Sequence, residues 1–508
     1  MEEYLTVALV HLNVRYKHVV ENRRTLLQLN KEAAQKGADI ILNTELALSG
    51  YSFRSREEVS PYVETVTGES ICALSKIAAS FGKYIVIGFA EKDERTRIYY
   101  NTAAVLDPDG NMVCRYRKIN AEARWACPGP ARQNNTFNTP WGRAGILICS
   151  DTYHGLIPRS TALRGARLVL VPANWPSGGI DPRQLWRTRA MENGIYLIAC
   201  NRGGIDREMK FEHAWSCAFS PDGTALMADC SASSRIHYVK FALVKGKLPD
   251  QSRKQMIEAR NPHRYSPIYL DLRFAYDFTD YYGMPKPGKI SVTCVASDQM
   301  DLFSPEYLQN RIVKEKKAND SFFVFPIGMK LSDSSRLKEI IGQAAIRNGI
   351  AICAGKQTEN GQTTLLLATP GGDFHEYRDI AGSCNPDLMD IGPARVGICP
   401  VEELLHPEIA VAYSKLGCDL LLVPGGHIEE TTRLVIGARS VEQVGVAVAG
   451  NNRAFICEPP EGHECWREES AVGHGSCTMV LDTGRTRKKR FQDRVNFELL
   501  LENNLKTG

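Results

Sequence analysis

Helix-period stretches and short apolar runs alternate along this chain. Glu21 to Lys36 carries apolar residues at helical spacing, while Ala38 to Asn43 and Tyr84 to Phe89 are short and β-rich. Turn signals punctuate them at Pro108-Asp109-Gly110, Pro221-Asp222-Gly223 and Glu359-Asn360-Gly361. Strands alternating with helices predict an α/β layered fold. The pattern leaves the number of sheets open.

The pattern also repeats. Gly142-Arg143-Ala144-Gly145-Ile146-Leu147-Ile148-Cys149 is echoed by Ala394-Arg395-Val396-Gly397-Ile398-Cys399-Pro400-Val401, and Gly165 to Pro172 by Gly417 to Pro424; both pairs stand 252 residues apart. Arg189, Glu192 and Asn201-Arg202 are answered by Arg439, Glu442 and Asn452-Arg453, and Ile40 to Glu45 by Phe322 to Ile327. Two related domains in tandem are expected, residues 1–280 and 289–500, with a Pro/Gly-rich linker over 277–289.

Composition narrows the class. At 508 residues the chain is too long for one domain of about 150 residues. Its 43% hydrophobic and 24% charged residues exclude a disordered or fibrous chain. The net charge of +4 gives no reason to expect nucleic acid or an acidic membrane as partner. The dense basic run, Arg485 to Arg490, reads as a solvated turn. No apolar run reaches the roughly 18–20 residues of a membrane span, and the N-terminus lacks the marks of a signal peptide. The 15 cysteines show neither CxxC repeats nor zinc spacing, so reduced thiols of a cytoplasmic protein are expected, with no metal or organic cofactor.

Four positions of the first repeat stand at ends of strand-like runs or between them. Glu45 closes Ile40 to Asn43, Lys118 follows Met112 to Arg117, Cys149 ends Gly145 to Ile148, and Glu122 precedes Trp125-Ala126-Cys127-Pro128-Gly129. Strand ends are where α/β folds build their sites. Singly, each residue also fits a packed or exposed structural position.

In combination they resemble a family. Strand-Glu45, then Ser49-Gly50-Tyr51, Tyr116-Arg117-Lys118, Pro140-Trp141-Gly142-Arg143 leading to Cys149-Ser150-Asp151, Val171 to Pro176, Arg189 to Asn193, and Arg260 to Tyr265 follow in the order of the nitrilase superfamily of carbon–nitrogen hydrolases. The resemblance runs over about residues 4–270. It implies a Glu45-Lys118-Cys149 triad with Glu122 as a second glutamate, and αββα four-layer sandwich domains. Glu45 would deprotonate the thiol, the thiolate would attack an amide carbon, and Lys118 with a backbone N–H near Cys149 would hold the oxyanion. Asp151 inclines the reading towards amidase or carbamoylase, because nitrile-hydrolysing relatives more often carry Trp-Glu after the cysteine. The chain departs from the family where Thr152-Tyr153-His154-Gly155-Leu156 replaces the usual run to Pro-Glu. That makes Tyr153 and His154 candidate substrate-binding residues beside Tyr51 and Trp175.

The second repeat lacks this chemistry. Val401 stands where Cys149 does, Ile327 replaces Glu45, and the lysine position falls on Asp379 or Ile380. Cys399 is a weak rival nucleophile. A non-catalytic nitrilase-like domain is expected, paired with the first in an internal pseudo-dimer, with further homo-oligomers an open alternative. The expected function is a cysteine-dependent amidohydrolase acting on a small linear amide or carbamoyl compound. The alternatives are nitrile hydrolysis by the same triad, or a scaffold supplying ammonia or acyl groups to a partner.

Overall fold

A computed structural model describes residues 3–207, 209–272, 275, 277–298, 304–316, 320–329, 334–357, 363–378, 387–462, 464–489, 491 and 494–501. They divide into two compact units: Met1–Ala259 with Arg494–Leu500, and Arg260–Asp493.

The first unit holds two six-stranded mixed sheets. One runs, edge to edge, Arg235–Ala242, Tyr4–His11, Ile40–Asn43, Tyr84–Lys92, Tyr99–Leu106 and Met112–Arg117. The other runs Ala225–Asp229, Ser216–Phe219, Tyr196–Cys200, Leu168–Pro172, Gly142–Ile146 and Thr136–Thr139. Both central strands Ile40–Asn43 and Leu168–Pro172 are buried at every residue. Covered on both faces, they read as continuous apolar runs rather than alternating ones.

Helices cover the outer face of the first sheet. The helix Val19–Gln35 buries Asn22, Leu26, Asn30, Ala33 and Ala34 on one stripe. Its buried Asn30 is satisfied by a reciprocal amide pair with Asn43, at 2.8 and 3.0 Å. The helix Glu69–Phe81 buries Ile71, Leu74 and Ala78 against the same sheet and stops at Gly82, whose φ of 63° is the left-handed cap glycine accepts readily. Truncating Leu74, fully buried here, to alanine would cost about 2–5 kcal/mol.

The second unit repeats the strand order. Its sheets run Ser476–Asp482, Lys289–Val295, Asp320–Met329, Ala351–Gln357, Thr363–Ala368, Phe374–Arg378 and, in the other sheet, Arg467–Val472, Arg453–Glu458, Gly445–Ala449, Leu420–Pro424, Ala394–Ile398, Leu388–Ile391. One apolar cluster joins their facing sides, including Val292, Val324, Cys353 and Leu365 from one sheet and Val396, Leu422, Ala447 and Ile456 from the other. The outer face of the first of these sheets packs Leu308, Ile312, Leu337 and Ile341 from helices. These are the layers of an αββα sandwich. Asp379, Ile380 and Gly361 lie outside the described residues.

Two sequence expectations meet different surroundings. The segment expected to close the first repeat is tied into the second unit: Arg260 pairs with Glu408 at 2.8 Å, and Arg264 with Glu403 at 2.6 Å. The basic run is solvated only in part: Arg485 and Lys488 are exposed, Arg490 lies outside the described residues, and the other two cations are buried. Arg487 is 1% exposed and paired with Asp419 at 3.1 Å, and buried Lys489 donates to Cys418 O and Gln443 O, each at 2.6 Å. Burial pushes the Lys489 ammonium down to about 8. Charge density alone misled here because a cation that fills backbone carbonyl acceptors belongs in a core. Ile409, Ala412 and Tyr413, spaced as one helical stripe in the sequence, lie in a helix, Pro407–Lys415, that is buried at every residue and capped by Leu416. Its Tyr413 lies over Gly397 of its own sheet and donates to Ile398 O at 2.7 Å.

Candidate active site

The site residues come from four chain segments at the ends of strands. Glu45 follows the strand Ile40–Asn43. Its backbone carbonyl accepts from Asn174 Nδ2 at 2.8 Å, while Thr44 Oγ1 donates to Ala173 O at 2.5 Å, so two strand ends are stitched together. Only glycine fits the neighbouring position 88, where a Cβ would stand 2.7 Å from Glu45 Cα.

Lys118 leaves the strand Met112–Arg117 with its N–H on Asn101 O at 2.8 Å. Its Nζ donates to Glu45 Oε1 at 2.6 Å and Glu122 Oε1 at 2.5 Å, and it lies 5.5 Å from the centroid of the Tyr51 ring. Glu45 and Lys118 are fully buried and Glu122 is nearly so. Asn101 completes the cluster: its Nδ2 donates to Glu45 Oε1 at 2.7 Å and to Glu122 Oε2 at 2.9 Å.

Cys149 opens a 3₁₀ turn, Cys149–Thr152, with φ of 44°. That left-handed conformation is strained for a residue with a Cβ. Thr152 Oγ1 donates to Cys149 O at 2.6 Å, and Arg189, fully buried and paired with Glu192 at 2.7 Å, clamps the carbonyls of Thr152 and Tyr153 at 2.9 and 2.6 Å. Asp151 ties the turn to the lysine loop by accepting from Asn120 N and Tyr116 OH, each at 2.8 Å.

Burial dominates the electrostatics. It pushes the Glu45 carboxyl up, with Lys118 opposing and Glu122 reinforcing. At Glu122 the same burial is outweighed by Lys118 and Asn101, so its carboxyl lies below the usual range. Burial would lower the Lys118 ammonium, yet Glu122 and Glu45 hold it well above its ordinary value. Burial and then the Glu45 carboxylate push the Cys149 thiol well up, against Lys118 and a hydrogen bond from the Asn174 backbone. The cluster therefore holds a cation between two acids beside a neutral thiol, and Glu45 Oε2 is a buried acceptor without a hydrogen-bond partner.

Tyr51 faces Lys118, its N–H held by Asp206 at 2.5 Å. Tyr153 stacks on Trp175 with centroids 6.2 Å apart, and His154 packs edge-on to Tyr153 at 4.9 Å. Trp175 is 8% exposed and donates its indole N–H to Ile180 O at 3.2 Å. Sequence reading missed Asn101 and Asp206. The signal for Asn101 was a buried amide inside the apolar strand Tyr99–Leu106. Among the described residues no group of three His, Cys, Asp or Glu side chains is arranged to hold a metal, and no helix is long and apolar enough to cross a membrane.

Comparison with known proteins bears on this arrangement. The family model "Carbon-nitrogen hydrolase" matches residues 6–245. A nitrilase of Pyrococcus abyssi is 34% identical over 209 residues, covering 40% of this chain and 78% of that protein. The chain belongs to the carbon–nitrogen hydrolase family. The human omega-amidase NIT2 is 28% identical over 237 residues, covering 43% of this chain and 84% of that protein. Among solved structures, Saccharomyces cerevisiae Nit3, of the nitrilase superfamily, is 21% identical with a TM-score of 0.44, covering 54% of this chain and 97% of that one. As a carbon–nitrogen hydrolase of this superfamily the protein acts on non-peptide C–N bonds.

Proposed function

We propose that the first unit is a cysteine-dependent amidohydrolase acting on a small linear amide or carbamoyl compound. The observation that carries this reading is the buried Glu45-Lys118-Glu122 cluster, whose one unpartnered carboxylate oxygen belongs to Glu45 beside the Cys149 thiol. In the first step Cys149 Sγ gives its proton to Glu45 and bonds to the carbonyl carbon. The oxyanion so formed is stabilised by Lys118 and a backbone N–H at the strained turn. As the C–N bond breaks, Glu45 returns the proton to the leaving nitrogen, and ammonia departs from a primary amide. A thioester remains on Cys149. Glu45 then takes a proton from water, whose oxygen attacks the thioester, and the acid and free thiol are released. Similarity to omega-amidases favours an amide as the substrate, whereas similarity to a nitrilase keeps nitrile hydrolysis by the same residues as the second reading.

The test is ammonia release from a panel of amides, ureido acids and nitriles. An amide or ureido acid should react with wild type and leave Cys149→Ala inert. Retained turnover in Cys149→Ala rejects the mechanism, and turnover confined to nitriles rejects the substrate class. We infer further that the second unit is non-catalytic. Val401 begins a helix, Val401–Leu404, where the first unit has its thiol, and Ile327 packs on Gly355 as Glu45 does on Gly88.

A further inference from the structure

A single amide group touches both acids of the site. Asn101 is fully buried in the strand Tyr99–Leu106, and its two N–H bonds are both used, one on Glu45 Oε1 and one on Glu122 Oε2. Lys118 Nζ also donates to Glu45 Oε1. That oxygen is doubly occupied, while Glu45 Oε2 is buried without a partner. The Asn101 Oδ1 is itself buried without a partner, so this amide is held for its donors at the cost of its acceptor. We propose that Asn101 is the positioning residue that makes Glu45 the base: by saturating one Glu45 oxygen it leaves only Oε2 to receive the Cys149 proton.

The groups facing Glu45 come from every neighbouring segment. They are Lys118, Glu122, Tyr51 and Cys149, with the Arg202 guanidinium at longer range. Burial and Glu122 favour the protonated acid, while Lys118 and Asn101 favour the carboxylate. A hydrogen bond donated to the charged form lowers proton affinity. Without it Glu45 holds its proton at a higher pH and cannot take one from the thiol. Asn101 touches neither the thiol nor a reacting atom, and its carbonyl, which accepts from Lys118 N, survives any side-chain change.

This inference rests on reading Cys149 as nucleophile and Glu45 as its base. Its test therefore uses alkylation of Cys149 by iodoacetamide, located by peptide mass and followed from pH 5 to 9, which needs no substrate. Asn101→Leu keeps the branched heavy-atom shape and removes the donors, and Asn101→Ala is a smaller second variant that also lacks them. Both are expected to move the acid limb of the alkylation profile up by about one pH unit and to slow alkylation about tenfold at its lower pH end. Asn135→Leu is the control for loss of a buried amide elsewhere, since Asn135 bonds Ile146 O and Thr161 Oγ1. It should lower the melting temperature and leave the profile in place. An unmoved acid limb in either soluble Asn101 variant overturns the inference. If wild-type Cys149 itself shows no pH-dependent alkylation, the nucleophile reading fails instead.

Discussion

Replacing Lys118 by methionine removes one charge from a fully buried cluster and keeps most of the volume. In the wild type the Nζ stands 2.6 Å from Glu45 and 2.5 Å from Glu122. At an effective dielectric of about 20 each contact is worth about 6 kcal/mol before desolvation is counted. Breaking a buried pair by removing one partner has a net cost of about 3–5 kcal/mol. The variant escapes part of that cost by binding a proton on the two glutamates. Their folded proton affinity then lies above that of the unfolded chain, so the stability deficit is smallest at acid pH and grows as pH rises. Turnover suffers twice. Losing an oxyanion donor costs about 10²–10³, and a protonated base adds a further loss that does not simply multiply. We expect amide hydrolysis to fall about 10³–10⁴-fold. Iodoacetamide alkylation of Cys149 develops no oxyanion, so it should fall at most about a hundredfold. The two assays on one preparation, with melting curves at pH 5.5 and 8, decide the matter. Equal losses in both assays would remove Lys118 from oxyanion stabilisation, and turnover within tenfold of wild type would refute the charge argument altogether.

Asp151→Asn tests the anchor of the Cys149 turn. Burial raises that carboxyl to about 6. The folded state therefore binds its proton more tightly than the unfolded one, and wild type should lose about 3 kcal/mol as pH rises from 4 to 7. The asparagine variant should lack that loss; parallel urea midpoints for the two proteins would count against it. Arg189→Met strips the clamp from the Thr152 and Tyr153 carbonyls and breaks the buried pair with Glu192, and should cost about 3–5 kcal/mol by urea denaturation. Arg487→Met should cost a similar amount by breaking the buried pair with Asp419, whereas a neutral effect would restore the solvated-turn reading of the basic run. Val401→Ala should leave ammonia release unchanged, and a dead enzyme would contradict a non-catalytic second unit.

The layered fold was legible in the sequence because strands covered on both faces leave continuous apolar runs, such as Ile40 to Leu42 and Leu168 to Val171. The repeat was legible because Arg189 and Arg439 do the same mechanical work. Each is fully buried and holds two carbonyls of the turn after a strand, Thr152 and Tyr153 in one unit, Leu404 and Leu405 in the other. Glu45, Lys118 and Glu122 could be picked from motifs, but nothing in their spacing shows that one ammonium touches both acids. Asn101 escaped notice for a physical reason. A buried amide has the same sequence appearance whether it bonds a backbone, as Asn135 does at Ile146, or two buried carboxylates, as Asn101 does. The fate of Arg487 and Lys489 was equally hidden, since a cation's partner carbonyls lie dozens of residues away in sequence.

Backbone strain separates the two units further. In the first, Leu46 and Cys149 hold φ of 47° and 44°, directly beside Glu45 and at the thiol itself. Such conformations cost about 1–3 kcal/mol each and persist only where the surroundings impose them. Around Cys149 the constraint is visible: Thr152 on its carbonyl, Asp151 anchored to Asn120 N, and Arg189 behind both. The second unit keeps the arginine clamp in Arg439 but drops the strain. Pro400 precedes its turn with φ of −71°, Val401 enters a regular helix, and the positive-φ non-glycine residue among those described there is Gln443, at a helix end. A clamp that served only packing would not require a left-handed residue, as the second unit demonstrates. The strain at Cys149 is therefore separable from the scaffold, and it goes with the position that carries a thiol. Cys149→Gly relieves the strain and removes the thiol, whereas Cys149→Ala removes the thiol and keeps the strain. Glycine should melt higher than alanine by the part of the strain that exceeds its loss of chain entropy, about 1 kcal/mol. A glycine variant no more stable than the alanine one would mean the left-handed turn at 149 stores no strain.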